Sequence, residues 1–245
     1  MGQRQIAAQN PSNESLRFEV AAVTPNNSGS GEARVLPIPR PGGEFRVVNT
    51  PLRELVKRAF DIEDYGLTAP GWLSDRRFDV RAKVPSGQPV TPAEVNQMLK
   101  VLLLERFHLK VHREQKRVSG YELTVVTEGK LKPSDPALAG GRSRGPNLIA
   151  GHGMSLAELT TALAAVLGRP VVDATHVSGG FEVRLLWHPD DAEAALASTR
   201  AGLDAGSMPS LFTALQEQLG LRLKAASVAI EAVVVDNMNQ IPDEN

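Results

Sequence analysis

Four stretches of the chain carry apolar residues at helical spacing. The first follows Thr50 and Pro51, a pair typical of a helix start, and its apolar stripe is Leu52, Leu55, Val56, Ala59 and Phe60. The second starts at Thr91 and Glu94, a capping box in which hydroxyl and carboxylate each accept a hydrogen bond from a free backbone N–H. Its stripe is Val95, Met98, Leu99, Leu102 and Leu103. Both patterns predict helices with one face in a core.

The other two helical stretches lie in the second half of the chain. One starts at a second capping box, Ser155 and Glu158, and ends at Gly168. The other carries Leu211, Leu215 and Leu219 and ends at Gly220. Glycine after each stretch predicts a left-handed helix cap, a conformation that side chains with a Cβ rarely adopt.

Apolar and polar residues alternate with period two between the helices, which predicts strands with one buried face. The clearest are residues 78–84 and 181–185, with others at 18–23, 45–48 and about 170–172. Short strands at 109–112 and 221–224 follow helices, and separate closing strands are predicted at 121–126 and 229–236.

The predicted elements occur twice in the same order, and local motifs recur with them. The motif Phe78-Asp79-Val80-Arg81 recurs in similar form as Phe181-Glu182-Val183-Arg184. Likewise, Leu52-Arg53-Glu54-Leu55 recurs as Leu156-Ala157-Glu158-Leu159. A repeated unit of strands and helices predicts an α+β protein of two tandem related units, each a small, mostly antiparallel sheet with two helices. The expected organisation is a flexible lead-in (1–16), a first unit with an N-terminal strand (17–127), a linker (128–147), a second unit (148–237) and a tail (238–245).

Composition narrows the range of functions. The net charge of −1 argues against nucleic acid or an anionic membrane as partner, and no cysteine is present to form a disulfide, a thiolate nucleophile or a sulfur-ligated metal site. No apolar run approaches the length of a transmembrane helix. Met1 to Gln5 lack the apolar stretch of a signal peptide, so the chain is either cytoplasmic or a mature, trimmed form.

Motifs for catalysis and metal binding are weak. His108 and His112 are spaced like two ligands on one helix face, but alternation around them indicates a strand, and no glutamate of a metalloprotease motif lies between them. Ser155 in Gly151-His152-Gly153-Met154-Ser155 is better explained as a helix cap than as a nucleophile. We therefore predict no catalytic residue, metal ligand or cofactor, and keep a hydrolase using Asp173 and His176 near Trp72, between the two units, as an alternative.

The candidate binding residues are Trp72, Arg76 and Arg77. Trp72 follows Pro70 and Gly71 in a predicted turn, and the corresponding region of the second repeat, residues 174–180, has no tryptophan. Two interpretations remain open: Trp72 covers the core of the first unit, or it forms a recognition surface with the arginines, whose guanidinium groups stack and pair with carboxylates.

Several of these motifs together resemble a known group. Residues 18–26, 42–45, 70–73 and 77–83 resemble the uncharacterised bacterial "soil-associated" proteins, and the likeness continues through 105–110, 167–173, 180–183, 210–221 and the end of the chain. The helix opening Ser155-Leu156-x-x-Leu159 is similar to that of the small N-terminal domain of secretins and TonB-dependent receptors. The first resemblance implies a periplasmic or secreted protein and supplies no catalytic residue.

The function that we predict is that of a non-enzymatic, extracytoplasmic binding or protein-interaction module of the bacterial envelope. Its expected partner is an envelope protein or a peptide strand added to an exposed sheet edge. The alternatives are the hydrolase described above and a sensory ectodomain that acts on a membrane partner.

Overall fold

The computed structural model describes residues 16–28, 34–35, 42–86, 90–135, 140–145, 147–188 and 208–243. Most of the predicted lead-in and the connection 189–207 lie outside these residues. The chain forms two compact units: residues 1–114 together with 231–245, and residues 115–230. Helices and strands are both abundant and segregated into layers, so the predicted α+β class is confirmed.

The first unit is built on an antiparallel sheet. Its strands are β1 (Val20–Pro25), β2 (Arg34–Val35), β3 (Glu44–Pro51) and β5 (Arg77–Lys83), in the order β1–β5–β3–β2. A short parallel pair joins β4 (Leu67–Thr68) to the end of β12 (Leu221–Asn237), with Leu67 opposite Val233. The first residues of β6 (Lys110–Val125) also belong to this unit.

The helices of the first unit cover one face of the sheet. They are α1 (Leu52–Phe60), α2 (Trp72–Asp75) and α3 (Pro92–Arg106), and the apolar stripes predicted for α1 and α3 line the core. Phe45, Val47, Phe78 and Val80 supply the sheet side of this core. The alternation in β3 and β5 therefore leaves the intervening residues on the opposite face of the sheet.

The second unit is also built on an antiparallel sheet. Its antiparallel sheet runs β7 (Lys132–Pro133), β11 (Phe181–Leu186), β9 (Leu148–Met154) and β8 (Gly140–Gly145). The helices are α4 (Leu156–Leu167) and α5 (Leu211–Ala214), which continues as a π-helical turn Leu215–Leu219. A parallel pair joins β10 (Val171–Asp173) to the second half of β6, with Val171 opposite Tyr121. The predicted relationship between the two units stays a prediction.

Both capping boxes and both glycine stops form as predicted. Four details of the local structure differ from the predictions. The first helix is capped by Pro51 rather than Thr50, and the predicted turn at Trp72 is the short helix α2. The separate strands predicted at 109–112 and 121–126, and at 221–224 and 229–236, are two continuous strands, β6 and β12. Two strands also lie in the described part of the predicted linker 128–147, namely β7 and β8.

Candidate functional site: the open edge of β1

The first unit ends in an exposed sheet edge at β1. This strand pairs with β5 and lies at the end of the strand order, with Val20 opposite Lys83 and Val23 opposite Val80. The N–H of Asn26 donates to the carbonyl of Arg77 over 2.8 Å, and in an antiparallel ladder the paired residues alternate. The backbone groups of Ala22 and Thr24 therefore point to β5. Those of Ala21 and Val23 point away from it, to the open edge.

The side chains of β1 are unusual for an edge. Proteins protect exposed edges with charged side chains, prolines, bulges or very short strands, because an unpaired strand recruits other chains. β1 is six residues long, Val-Ala-Ala-Val-Thr-Pro, and carries no charge. Val20 is 68% exposed. Pro25 marks the end of the edge that can donate hydrogen bonds.

The other strands at the ends of the sheets in the described part of the chain are short or charged. β2, β4 and β7 each have two residues, and β10 has three. β8 is as long as β1, but it contains Arg142 and Arg144, and its pairing with β9 is interrupted by a register shift. β1 is therefore the edge best suited to accept another strand.

A groove of about 330 Å³ lies beside the start of this strand. One wall is the segment Arg17–Ala21, and the other is α3, which contributes Met98, Val101, Leu102, Glu105 and Arg106. Met98 and Leu102 are almost fully buried and form an apolar floor, whereas Val101 is half-buried. Phe18 fixes the start of the strand, because its ring stacks on that of Phe45 at 5.6 Å between centroids.

Charged side chains form the rim of the groove, and their positive and negative charges pair with each other. Arg17 forms an ion pair with Glu105 across the groove end. Glu19 pairs with Lys83 at 2.7 Å, and this hydrogen bond to the Lys83 ammonium holds the pKa of Glu19 below its ordinary value. The groove thus has an apolar floor, a balanced polar rim and unpaired backbone groups along one side.

The tryptophan and arginines predicted to bind a partner are near one another in the first unit. Trp72 is half-buried and packs against the core, which favours the interpretation of a core cover. Arg76 is exposed and donates to Gln240 Oε1 at 3.0 Å. Arg77 donates to the carbonyl of Asn49 at 3.2 Å. Both guanidinium groups thus have contacts within the unit, and their role in recognition stays a prediction.

The predicted alternatives for chemistry have other local explanations. His108 contacts Asp243 and His112 contacts Asp236, each at 2.7 Å, and His112 lies in a strand as expected. Asp173 accepts hydrogen bonds from the backbone and hydroxyl of Thr175, forming a local turn, and His176 has a left-handed backbone with φ 58°. Among the described residues no three His, Asp or Glu side chains are grouped in a way that fits a metal ion.

Comparison with known families identifies the family to which the chain belongs. A family model described as "Protein of unknown function (DUF3738)" matches residues 53–238, which is more than half of the chain, so the protein belongs to this family. The match begins within α1, so β1 and β3 precede it. No curated protein and no solved structure matches the chain. No helix among the described residues is both long and apolar enough to cross a membrane.

The sequence predicted the strand β1 and the helix α3, but not the groove between them. The pairing of β1 with β5 joins residues far apart in the chain, and hydrophobic periodicity carries no information on which strands become neighbours. One signal was available: the predicted N-terminal strand has no charged residue after Glu19. In an edge strand that absence is exceptional and points to a pairing partner.

Proposed function

We propose that this protein is a binding module that accepts an extended segment of a partner protein as an additional strand on β1. The observation that carries the proposal is the uncharged open edge of β1 beside the apolar groove against α3. In this mode of recognition the main-chain hydrogen bonds supply affinity, and pockets for alternate side chains supply specificity.

The geometry defines the chemistry of the partner segment. Ala21 and Val23 offer two N–H and two C=O groups, enough to bind about three residues of an extended chain. Every second side chain of that segment would enter the groove over Met98 and Leu102, which fits aliphatic residues of moderate size. The balanced pair Arg17 and Glu105 leaves no net charge to attract a strongly acidic or basic segment.

The binding free energies show that both the open edge of β1 and the apolar groove are needed. Four backbone hydrogen bonds contribute roughly 2–6 kcal/mol in total. Micromolar affinity requires about 8 kcal/mol, and association carries its own entropic cost. Contacts in the groove must supply the difference, so a blocked groove should abolish binding as effectively as a blocked edge.

The location of the protein belongs to the same proposal. We place it outside the cytoplasm, in the bacterial envelope, with an envelope protein as partner. Support for this placement is the resemblance of its motifs to the soil-associated proteins. A binding module without its own catalytic residues is also consistent with the local structural roles of Asp173, His108 and His112.

Selection from a displayed library of random linear peptides tests the proposal directly. The intact protein should enrich peptides with alternating aliphatic residues. Ala21→Pro removes an N–H that points to the open edge, a position where proline is tolerated in sheets, so the variant should fold and lose these peptides. Enrichment of the same peptides by Ala21→Pro would contradict the proposal, as would no enrichment by the intact protein.

A second pair of variants separates the groove from a general effect on α3. Val101 lines the groove, whereas Leu104, on the same helix, is 37% exposed and does not. Val101→Lys should abolish peptide binding, and Leu104→Lys should leave it unchanged. Equal loss in both variants would show that the peptides bind elsewhere.

A further inference from the structure

Two arginines lie directly opposite each other on the outer face of the first unit's sheet. Arg46 on β3 and Arg81 on β5 are cross-strand partners. Their chain neighbours Phe45, Val47, Val80 and Ala82 are all in the core, so both guanidinium groups project from the face that the helices leave uncovered. The partner of Arg81 on β1 is Ala22, whose small side chain leaves space beside it.

Neither arginine has a carboxylate within ion-pair distance among the described residues. The neighbouring cation on the same face, Lys83, is neutralised by Glu19 at 2.7 Å. Asp79 lies two residues before Arg81, but its Oδ1 already accepts hydrogen bonds from the Asn49 N–H at 2.8 Å and the Asn26 amide at 2.7 Å. Arg46 is half-buried, and its Nε is fully shielded from solvent with no acceptor in the described part of the structure.

The pair of like charges works against folding, and the nearby carboxylate of Asp79 offsets this repulsion in part. Like charges directly opposite each other in a sheet are destabilising, and a buried donor without an acceptor loses its hydration without compensation. A sheet face that opposes folding at one position is a candidate functional site. An anion with several acceptor oxygens, placed between the two guanidinium groups, would relieve the repulsion between them.

We propose that Arg46 and Arg81 form a binding site for a phosphate group. Arginine presents parallel N–H donors that match phosphate oxygens bidentately, and two arginines side by side favour a group with two negative charges over a single carboxylate. The site lies on the outer face of the sheet, whereas the peptide groove lies along its edge, so the inference is independent of the proposed function.

Thermal unfolding in potassium phosphate and in potassium chloride of equal ionic strength tests the site. Equal ionic strength separates binding from the screening that would also relieve the arginine repulsion. The intact protein should melt at a higher temperature in phosphate than in chloride. Arg46→Gln and Arg81→Gln should lose this difference, with affinity for phosphate reduced about tenfold or more. Lys83→Gln, which removes the same charge from the same face, should keep it.

The melting temperatures in chloride give a second readout. Arg81→Gln removes both the repulsion from Arg46 and the attraction to the Asp79 carboxylate, so in chloride it should melt close to the intact protein. If the arginines served only the fold, Arg81→Gln would be clearly less stable in chloride. No phosphate-dependent stabilisation of the intact protein, or equal stabilisation of Arg81→Gln, would overturn the proposal.

A vesicle-binding experiment distinguishes a lipid headgroup from a soluble compound as the source of the phosphate. Sedimentation with vesicles that contain phosphatidic acid, compared with phosphatidylcholine alone, tests a lipid headgroup. If the intact protein binds the vesicles with phosphatidic acid and Arg81→Gln does not, the ligand is a membrane lipid. Stabilisation by inorganic phosphate without sedimentation supports a soluble phosphate compound.

Discussion

Leu67 lies opposite Val233 in a parallel strand pair, although the two residues belong to the first and the last third of the chain. The last part of β12 thereby completes the first unit, and Val233, Val235 and Met238 are buried in its core. The chain leaves this unit within β6 and returns to it within β12. The stability of the first unit therefore depends on residues at the end of the sequence.

Substitution of Met238 tests this dependence. Met238→Ala should reduce the free energy of unfolding by about 2–5 kcal/mol, the usual cost of truncating a buried methionine. Ile241, three positions on, is 72% exposed, and Ile241→Ala should change the same free energy by less than about 0.5 kcal/mol. Denaturant unfolding measures both. Equal effects of the two variants would contradict the burial of Met238 in the core.

Trp72→Ala separates the two interpretations of the tryptophan. Because Trp72 is half-buried against the core, we expect the variant to lose about 1.5–3 kcal/mol of stability, the amount typical of burying a large apolar side chain. Binding of library-selected peptides should persist. An unchanged melting temperature with weaker peptide binding would instead assign Trp72, with Arg76 and Arg77, to a recognition surface.

Two glycines that end helices in the second unit should differ in their tolerance of alanine. Gly168 and Gly220 both have left-handed backbones, with φ 61° and 69°. A Cβ on Gly168 would meet no atom within 4 Å, whereas one on Gly220 would collide with the carbonyl oxygen of Thr127.

Gly168→Ala should therefore cost only the backbone strain, roughly 1–2 kcal/mol. Gly220→Ala should cost clearly more, because Val126 and Thr127 also donate hydrogen bonds to the Gly220 carbonyl and the chain there has little freedom to move. Chemical denaturation compares the two. A loss for Gly220→Ala no greater than for Gly168→Ala would contradict the close approach of Thr127.

The carboxylate of Asp79 should make the protein less stable in acid. Burial alone would raise the pKa of Asp79, but hydrogen bonds from Asn49 and Asn26 and the nearby charges of Arg46 and Arg81 outweigh it and hold the pKa below its ordinary value of 3.8. A depressed pKa in the folded state contributes stability above the unfolded-state value, and this stability is lost as pH falls through the folded value.

Thermal melting of the intact protein and of Asp79→Asn from neutral pH to about pH 3 measures this contribution. The intact protein should be the more stable at neutral pH, and the difference should shrink below the ordinary carboxylate pKa of about 4. A difference that stays constant over this range would show that the charge on Asp79 contributes nothing.

Local features of the fold were predictable from the sequence because their causes are local. The capping boxes at Thr91 and Ser155 and the stops at Gly168 and Gly220 each depend on residues within one turn of the chain. The middle of β6 was missed for a physical reason: from Arg113 to Lys116 the side chains are almost all exposed, and a strand without a buried face has no hydrophobic alternation.

The candidate sites were less predictable than the helices. Arg46 and Arg81 each read as an ordinary solvent-facing residue of an alternating strand, and only the register between β3 and β5 brings them together. The same holds for the groove, because its two walls, β1 and α3, are far apart in the sequence and adjacent only in the fold. For Trp72 the sequence left open a core cover and a recognition surface, because a sequence alone does not show whether the ring packs on a core.

Amide hydrogen exchange at β1 is the most direct test of strand addition. In the free protein the amides of Ala21 and Val23 should exchange quickly, and those of Ala22 and Thr24, which point to β5, slowly. A saturating amount of a library-selected peptide should slow Ala21 and Val23 and leave Ala22 and Thr24 nearly unchanged. Peptide binding that leaves the exchange of Ala21 and Val23 unaltered would contradict the account.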